Sequence, residues 1–265
     1  MQARIHQVVT FASQPFRGNP AFVLSLPRAA PDAVLAAVAA ELREGVLAAT
    51  WPAGSGRTAL RFFTPEGPHA GAGHATLAAA HVELARQVAD DGRVAFLLAD
   101  GTERIAAREG DRIAVPWPLM PGAAVERRAD LGIALGREPV ETLVAPFGYV
   151  AVYDDAADVQ ALQPDMTALA DFDRGAIIVT APGDRSDLVI RVFAPKLGLP
   201  EDPVCGTAHR ILAPYWAARL GRDDLHSRQL SARGGDLYCR MAGDSVSIGG
   251  QSRTFLEGVI ELPDA

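Results

Sequence analysis

The sequence predicts an α+β protein built as two pseudo-symmetric halves, each a mostly antiparallel sheet around one central helix. The first observation behind this is an internal repeat. Residues 62–86 (FFTPEGPHAGAGHATLAAAHVELAR) and residues 192–219 (VFAPKLGLPEDPVCGTAHRILAPYWAAR) share one construction. In each, an apolar strand ends in Phe-x-Pro, a loop follows, and a Gly-His or Gly-Thr turn leads into a mostly apolar helix. One divergent repeat at this distance marks two equivalent halves; a solenoid would need several short ones. The second observation is the texture of residues 73–85, where Ala and Leu dominate and only His74, Thr76, His81 and Glu83 are polar. Small apolar residues around most of its circumference suit a helix enclosed by sheet. The third is the number of short strands joined by tight turns, which departs from the βαβ alternation of a dinucleotide fold.

Taken in order, residues 4–11 (RIHQVVTF) and 21–26 (AFVLSL) read as strands separated by the breakers Pro15, Gly18, Asn19 and Pro20. Asp32 is the expected N-cap of a helix through Leu42, with Leu35, Val38, Ala39 and Leu42 on one face. Arg43, Glu44 and Gly45 end it, and strands follow at residues 46–51 and 58–63 around a Gly-Ser-Gly turn. After the Ala-rich helix, residues 93–99, 102–108 and 111–117 form a meander with Ala-Asp-Gly and Glu-Gly-Asp turns. The boundary between halves is placed near residue 118, giving spans 1–118 and 119–265, with the last strand free to return to the first half.

The second half repeats the order. A short helix is expected at residues 129–135, one strand at 142–153 (TLVAPFGYVAVY), and short helices at 156–162 and 164–169. Strands at 175–181 and 187–193 precede the Cys205 loop and a helix from Gly206, which Pro214 should kink or weaken in its first turns. The tail, with its Gly-Gly and Gly-Asp turns, is a second meander.

Composition narrows the function. A net charge of −7 with no basic cluster argues against nucleic acid or an anionic membrane as partner. No long apolar run suggests a membrane span, and MQARIHQVVTF lacks the apolar core of a signal peptide, so a cytoplasmic location is expected. The two cysteines, Cys205 and Cys239, form neither a disulfide framework nor a metal-site spacing. His74, His81 and His209 likewise lack metal-ligand spacing, and no Gly-x-Gly-x-x-Gly or Walker loop follows a strand. Neither metal nor nucleotide cofactor is expected. What remains is a pair of helix starts, at Gly73 and at Gly206, whose unpaired N–H groups form ready anion sites. Facing each other across a cleft between halves, they would bind a small carboxylate. Asp202, Glu201 and Cys205 stand beside the second; Glu201 is expected to face solvent, while His81, His209 and Asn19 read as structural.

Four blocks, GNPAFVLSLP, RFFTP…GHATLAAAH, EDPVCGTAHRILAPYWAARLG and QLSARGGDLYCR, closely resemble the phenazine-biosynthesis-like (PhzF-like) proteins. They are spread over most of the chain. The resemblance implies the diaminopimelate-epimerase-like fold, in which two halves each curl a sheet around a central helix, with the site between them and a homodimer common. It also implies cofactor-independent isomerisation, in which a glutamate moves a proton between carbons of a small, carboxylate-bearing metabolite. That glutamate falls on Glu44, although the Ser and Thr that flank it in the family are absent here. The family's Gly-His falls on Gly73 and His74, its Asp-Pro on Asp202 and Pro203, and its helix-start Gly-Ser on Gly206 and Thr207. Glu44, His74 and Asp202 are thereby assigned catalytic roles, and Gly73, Cys205, Gly206 and Thr207 substrate binding.

Cys205 also resembles the second thiol of diaminopimelate epimerase and proline racemase. Those enzymes oppose two thiols, and the position matching the first is Ala72. Two alternatives stand beside the isomerase: an amino-acid racemase or epimerase, and a non-catalytic small-molecule binder on the same fold.

Overall fold

The computed structural model describes residues 1–43, 45–86, 91–126 and 128–263. The chain divides into two units, Met1–Pro116 with Gly249–Ala265, and Trp117–Ile248.

The first unit contains β1 (Gln2–Thr10), β2 (Asn19–Ser25), α1 (Asp32–Leu42), β3 (Leu47–Gly54), β4 (Arg57–Thr64), β5 (Gly67–His69), α2 (Gly73–Arg86), β6 (Arg93–Leu97), β7 (Glu103–Glu109) and most of β8 (Arg112–Pro118). Helix α2 is its axle. Ala75, Thr76, Leu77, Ala78, Ala79, Ala80, Val82 and Leu84 are all buried, and the helix touches β1, β2, β3, β4, β6, β7 and the last strand, Ser252–Glu261. Alanine makes this possible, because a helix without long side chains lets sheet approach it from most directions. Thr76, His81 and Glu83 each find a hydrogen-bond partner. Glu83 accepts hydrogen bonds from the hydroxyls of Thr50 (2.7 Å) and Ser25 (3.4 Å), tying the helix to β3 and β2.

Helix α1 instead buries only one face. Leu35 and Ala39 pack against Leu24, Leu26, Leu47 and Phe63. Its start differs from the expected Asp32 cap: Pro31 is the N-cap residue, and its carbonyl accepts from Val34 and Leu35 N–H. Its end lies at Leu42, as the Arg-Glu-Gly signal suggests, with Arg43 left-handed at φ 54° and its N–H on the Ala39 carbonyl. The last strand pairs antiparallel with β1 over its whole length.

The second unit contains β9 (Ala123–Val125), α3 (Ala129–Leu135), β10 (Glu141–Val144), β11 (Gly148–Val152), α4 (Ala156–Ala161), α5 (Met166–Ala170), β12 (Ala176–Pro182), β13 (Leu188–Phe193), a 3₁₀ turn at Pro195–Leu197, α6 (His209–Leu220), β14 (Asp224–Gln229), β15 (Gly235–Ala242) and most of β16 (Ser245–Gly250). Its strand pairings reproduce those of the first. β1/β2, β3/β4 and β6/β7 are antiparallel, while β2/β3 and β4/β6 are parallel and joined through α1 and α2. Correspondingly, β10/β11, β12/β13 and β14/β15 are antiparallel, while β11/β12 and β13/β14 are parallel and joined through helices. A parallel neighbour requires a crossover connection, and the two helical crossovers per unit supply it. Trp216 of α6 fixes this helix to β12 by donating from Nε1 to Thr180 Oγ1 (3.1 Å), which itself donates to the Val189 carbonyl (2.9 Å).

Two expectations are corrected here. Residues 142–153 are a hairpin, not one strand: β10 and β11 pair antiparallel around a turn in which Ala145 and Gly148 exchange backbone hydrogen bonds. The Pro146-Phe147-Gly148 sequence makes that turn, and a Cβ on Gly148 would lie 2.1 Å from the Ala176 carbonyl oxygen on β12. The regular part of α6 begins at His209, not Gly206; residues 206–208 are a turn with i→i−3 bonds from His209, Arg210 and Ile211. Pro214 lies inside α6 without ending it. The Arg210 carbonyl, which the missing Pro214 N–H leaves without its helical donor, accepts from the N–H of Met120 instead (2.9 Å).

Among the described residues no helix is long and apolar enough to cross a membrane. No group of three or more His, Cys, Asp or Glu side chains among them is arranged to hold a metal ion.

Candidate active site

The loop between β13 and α6 carries Asp202, Cys205, Gly206 and Thr207, and the structure shows what shapes it. Asp202 N–H reaches back to the Val192 carbonyl (2.9 Å), and its carboxylate accepts from Val204 N–H (3.0 Å), closing a turn over Pro203. From β14, Gln229 grips the loop twice. Its Oε1 accepts from Cys205 N–H at 2.8 Å, and its Nε2 donates to the Asp202 carbonyl at 2.5 Å. Ser231 Oγ donates to the Pro203 carbonyl (2.6 Å). His209 closes the far side: Nδ1 lies 2.9 Å from the Cys205 carbonyl and Nε2 lies 2.8 Å from Ser227 Oγ. A carbonyl can only accept, so the Nδ1 atom carries the hydrogen and Nε2 accepts from the Ser227 hydroxyl. Buried in this position, His209 has its pKa depressed to about 4 by loss of solvation, so it is a neutral brace at pH 7.

These contacts bring Asp202 and Cys205 side chain to side chain. Loss of solvation raises the Asp202 pKa, and hydrogen bonds from the Cys205 thiol and Val204 N–H oppose that rise. Cys205 is 4% exposed, and its pKa is pushed well above the ordinary thiol value, first by burial and then by the Asp202 charge. The N–H groups of Ala208 and Thr207 act on the same sulfur and favour thiolate, but they are outweighed. The helix-start effect that would make a reactive thiolate is therefore overridden by the carboxyl next door. Glu201 does not face solvent as expected: it holds Arg191 in a two-pronged ion pair (2.8 and 3.2 Å) with only 24% of its side chain exposed.

In the first unit, Gly73 and His74 open α2. The Ala72 carbonyl accepts from both Thr76 N–H and Thr76 Oγ1 (2.9 Å each), and the amides of the first turn have no intrahelical acceptor. A Cβ built on Gly73 would meet nothing within 4 Å, so close packing is not what this glycine serves. His74 keeps part of its surface exposed, yet its pKa falls to about 4, chiefly from loss of solvation and then from repulsion by His69. It is neutral at pH 7, with one donor and one acceptor to offer. His81, further along α2, meets Thr254 Oγ1 at 3.1 Å.

Glu44 lies outside the described residues. Its neighbours are described: Arg43 and Gly45 are both left-handed, at φ 54° and 53°. For a non-glycine residue this costs roughly 1–2 kcal/mol.

The braces of the Asp202 loop, Gln229, Ser231 and His209, were not assigned to the site from sequence. Gln229 lies 24 residues from Cys205, and only the parallel pairing of β14 with β13 brings it under the loop.

The family model described as phenazine biosynthesis-like protein matches residues 8–258. An uncharacterised isomerase of Pseudomonas aeruginosa is 39% identical, covering 99% of this chain and all of its own. One from Halalkalibacterium halodurans is 33% identical with the same coverage. Among solved structures, a PhzF-family phenazine biosynthesis protein from Enterococcus faecalis superposes with a TM-score of 0.94 at 35% identity, covering 99% of this chain and all of that one. A hydroxyproline epimerase from Agrobacterium vitis shares the fold at a TM-score of 0.59 and 15% identity, covering 98% of this chain and 92% of its own. The fold is the pseudo-symmetric diaminopimelate-epimerase-like α+β fold. With its sequence matched across nearly its whole length and its relatives named isomerases, the chain belongs to the phenazine biosynthesis-like (PhzF) family.

Proposed function

We propose that the protein is a cofactor-independent isomerase that moves a proton between carbons of a small, carboxylate-bearing metabolite. The observation that carries this reading is the Asp202–Cys205 pair: a carboxyl whose pKa is raised by burial and whose position is fixed by backbone and side-chain hydrogen bonds. Raising a carboxyl toward neutrality is what a proton carrier at neutral pH requires. In this reading Asp202 holds the substrate and relays a proton, and neutral His74 supplies a hydrogen bond or a relay. Glu44 is the principal acid/base, and the strained backbone at Arg43 suits a functional position. Backbone N–H groups at Gly73–His74 and Gly206–Thr207 stabilise negative charge on the substrate, with Cys205 contributing as a protonated neighbour. A cytoplasmic homodimer acting without cofactor is part of the same proposal.

A racemase that uses Cys205 as a base needs a thiolate, which the burial of Cys205 and the adjacent Asp202 oppose. The test is a metabolite-library thermal-shift screen followed by incubation of each hit in heavy water, with mass spectrometry of the ligand. An isomerase incorporates deuterium at carbon, and the Asp202→Asn variant incorporates it about 10²–10⁴-fold more slowly. Hits that bind without any exchange would leave a binding protein.

A further inference from the structure

We propose that Gln229 is a positioning residue for the proton chemistry of the 201–207 loop, setting the placement of Asp202 against Cys205 by holding the backbone of both. The inference rests on the reading of Asp202 as a proton carrier. Several features support it. Gln229 is 2% exposed, and both ends of its amide hold the loop, oxygen to Cys205 N–H and nitrogen to the Asp202 carbonyl. Its own backbone is fixed from two sides, by register with Ile190 of β13 and with Gly235 of β15. A rigid sheet position thus sets the distance between two points of a loop that is otherwise rich in proline and glycine. A side chain of this length carrying both a donor and an acceptor is needed, and only glutamine or a protonated glutamate has both. The grip also removes Cys205 N–H from the donors that a substrate anion could use.

Because substrate is unidentified, the first readouts need none. Asp202 is followed by NMR titration of carboxyl-labelled protein, assigned with Asp202→Asn, and Cys205 by its iodoacetamide alkylation rate in a Cys239→Ala background. Gln229→Leu, which loses both hydrogen bonds, is expected to move the Asp202 titration toward the ordinary carboxylate range as water enters. It should also speed Cys205 alkylation about tenfold through local opening. Gln229→Glu reproduces both bonds only while the new carboxyl is protonated. Its alkylation rate relative to wild type is therefore near one at pH 5 and about tenfold at pH 8. That pH-dependent rescue also covers the case in which the leucine variant fails to fold.

Thr180→Val is the structural control: it breaks the buried Trp216–Thr180–Val189 chain in the same unit and should lower Tm without moving either readout. The proposal is overturned if Gln229→Leu lowers Tm but leaves Asp202 and Cys205 as in wild type, or if Thr180→Val moves them equally. Once an exchanging ligand is in hand, kcat for Gln229→Leu should fall about 10²-fold with KM little changed, as for a misplaced catalytic group; an unchanged kcat also overturns it. Absence of exchange by wild type with every ligand would defeat the isomerase reading, while the titration and alkylation arms would still decide whether Gln229 sets this pair.

Discussion

The thiol of Cys205 donates to the carboxyl of Asp202, and the two groups act on each other in opposite directions: the thiol lowers the Asp202 pKa, and the Asp202 charge raises that of Cys205. Burial raises both and is the larger effect in each case. The cysteine is thus a hydrogen-bond donor in the neutral state. Cys205→Ser keeps a donor and should leave turnover close to wild type. Cys205→Ala removes it, so the Asp202 titration moves further upward, by an interaction worth about 0.5–1.5 kcal/mol. The check is the acidic limb of the pH–rate profile: it shifts to higher pH in the alanine variant and stays in place in the serine variant.

A second prediction follows from His209. Its folded pKa of about 4 lies below the ordinary histidine value of 6.5, so the unfolded chain takes up a proton there that the folded chain refuses. The associated stability is fully present above pH 6.5 and is lost as pH falls from 6.5 through about 4. For this buried ring the loss amounts to about 3 kcal/mol. Urea unfolding at pH 7 and pH 4.5 measures it. His209→Gln should start less stable at pH 7, yet show a pH dependence flatter by about that amount over the same window. An equally steep decline in the variant would assign the acid sensitivity elsewhere.

The β10–β11 hairpin gives a third. Gly148→Ala drives a Cβ to 2.1 Å from the Ala176 carbonyl oxygen, and that atom belongs to the paired β12 backbone, which has little room to retreat. The expected cost is about 1–3 kcal/mol, the range for overpacking a filled site. It is read as a lower urea midpoint at unchanged m-value. Gly73→Ala, where a Cβ meets nothing within 4 Å, should leave the midpoint nearly unaltered, so the pair separates a packing glycine from an open one.

The central helix of the first unit was legible because its composition is extreme: alanine at residues 75, 78, 79 and 80 has few uses other than close enclosure, and all four are buried. The repeat was legible because Phe-x-Pro, loop and glycine turn recur, and the strand pairings carry the same order in each unit. The hairpin at 141–152 was missed for a physical reason. From Leu143 through Val152 the sequence stays apolar on both sides of the turn, so no alternation marks the reversal, and the Pro-Phe-Gly turn was the one signal. At the site, the neighbourhood of Asp202 and Cys205 could be read from spacing alone, since a proline turn joins them. The electrostatic balance that keeps the thiol protonated could not, because it depends on burial. Nor could the role of Gln229, whose contacts are made through sheet register rather than sequence proximity.

The last prediction concerns Glu44. The residue falls, by resemblance, where the family places its acid/base, and the described residues on either side of it are left-handed. Glu44→Gln preserves size and hydrogen bonding but accepts no proton at neutral pH. Ligand affinity should therefore change little, while turnover falls by about 10²–10⁴-fold, the usual worth of one positioned acid/base. Asp202→Asn, removing a group that both holds and relays, should weaken binding along with turnover. Deuterium incorporation from solvent into a ligand found by screening, followed for Glu44→Gln, Asp202→Asn and Cys205→Ser beside wild type, distinguishes these roles. If Glu44→Gln exchanges at the wild-type rate while Cys205→Ser is dead, proton transfer runs through the thiol. The burial that holds Cys205 protonated in the free protein would then have to be relieved when substrate binds, and the racemase chemistry would replace the glutamate shuttle.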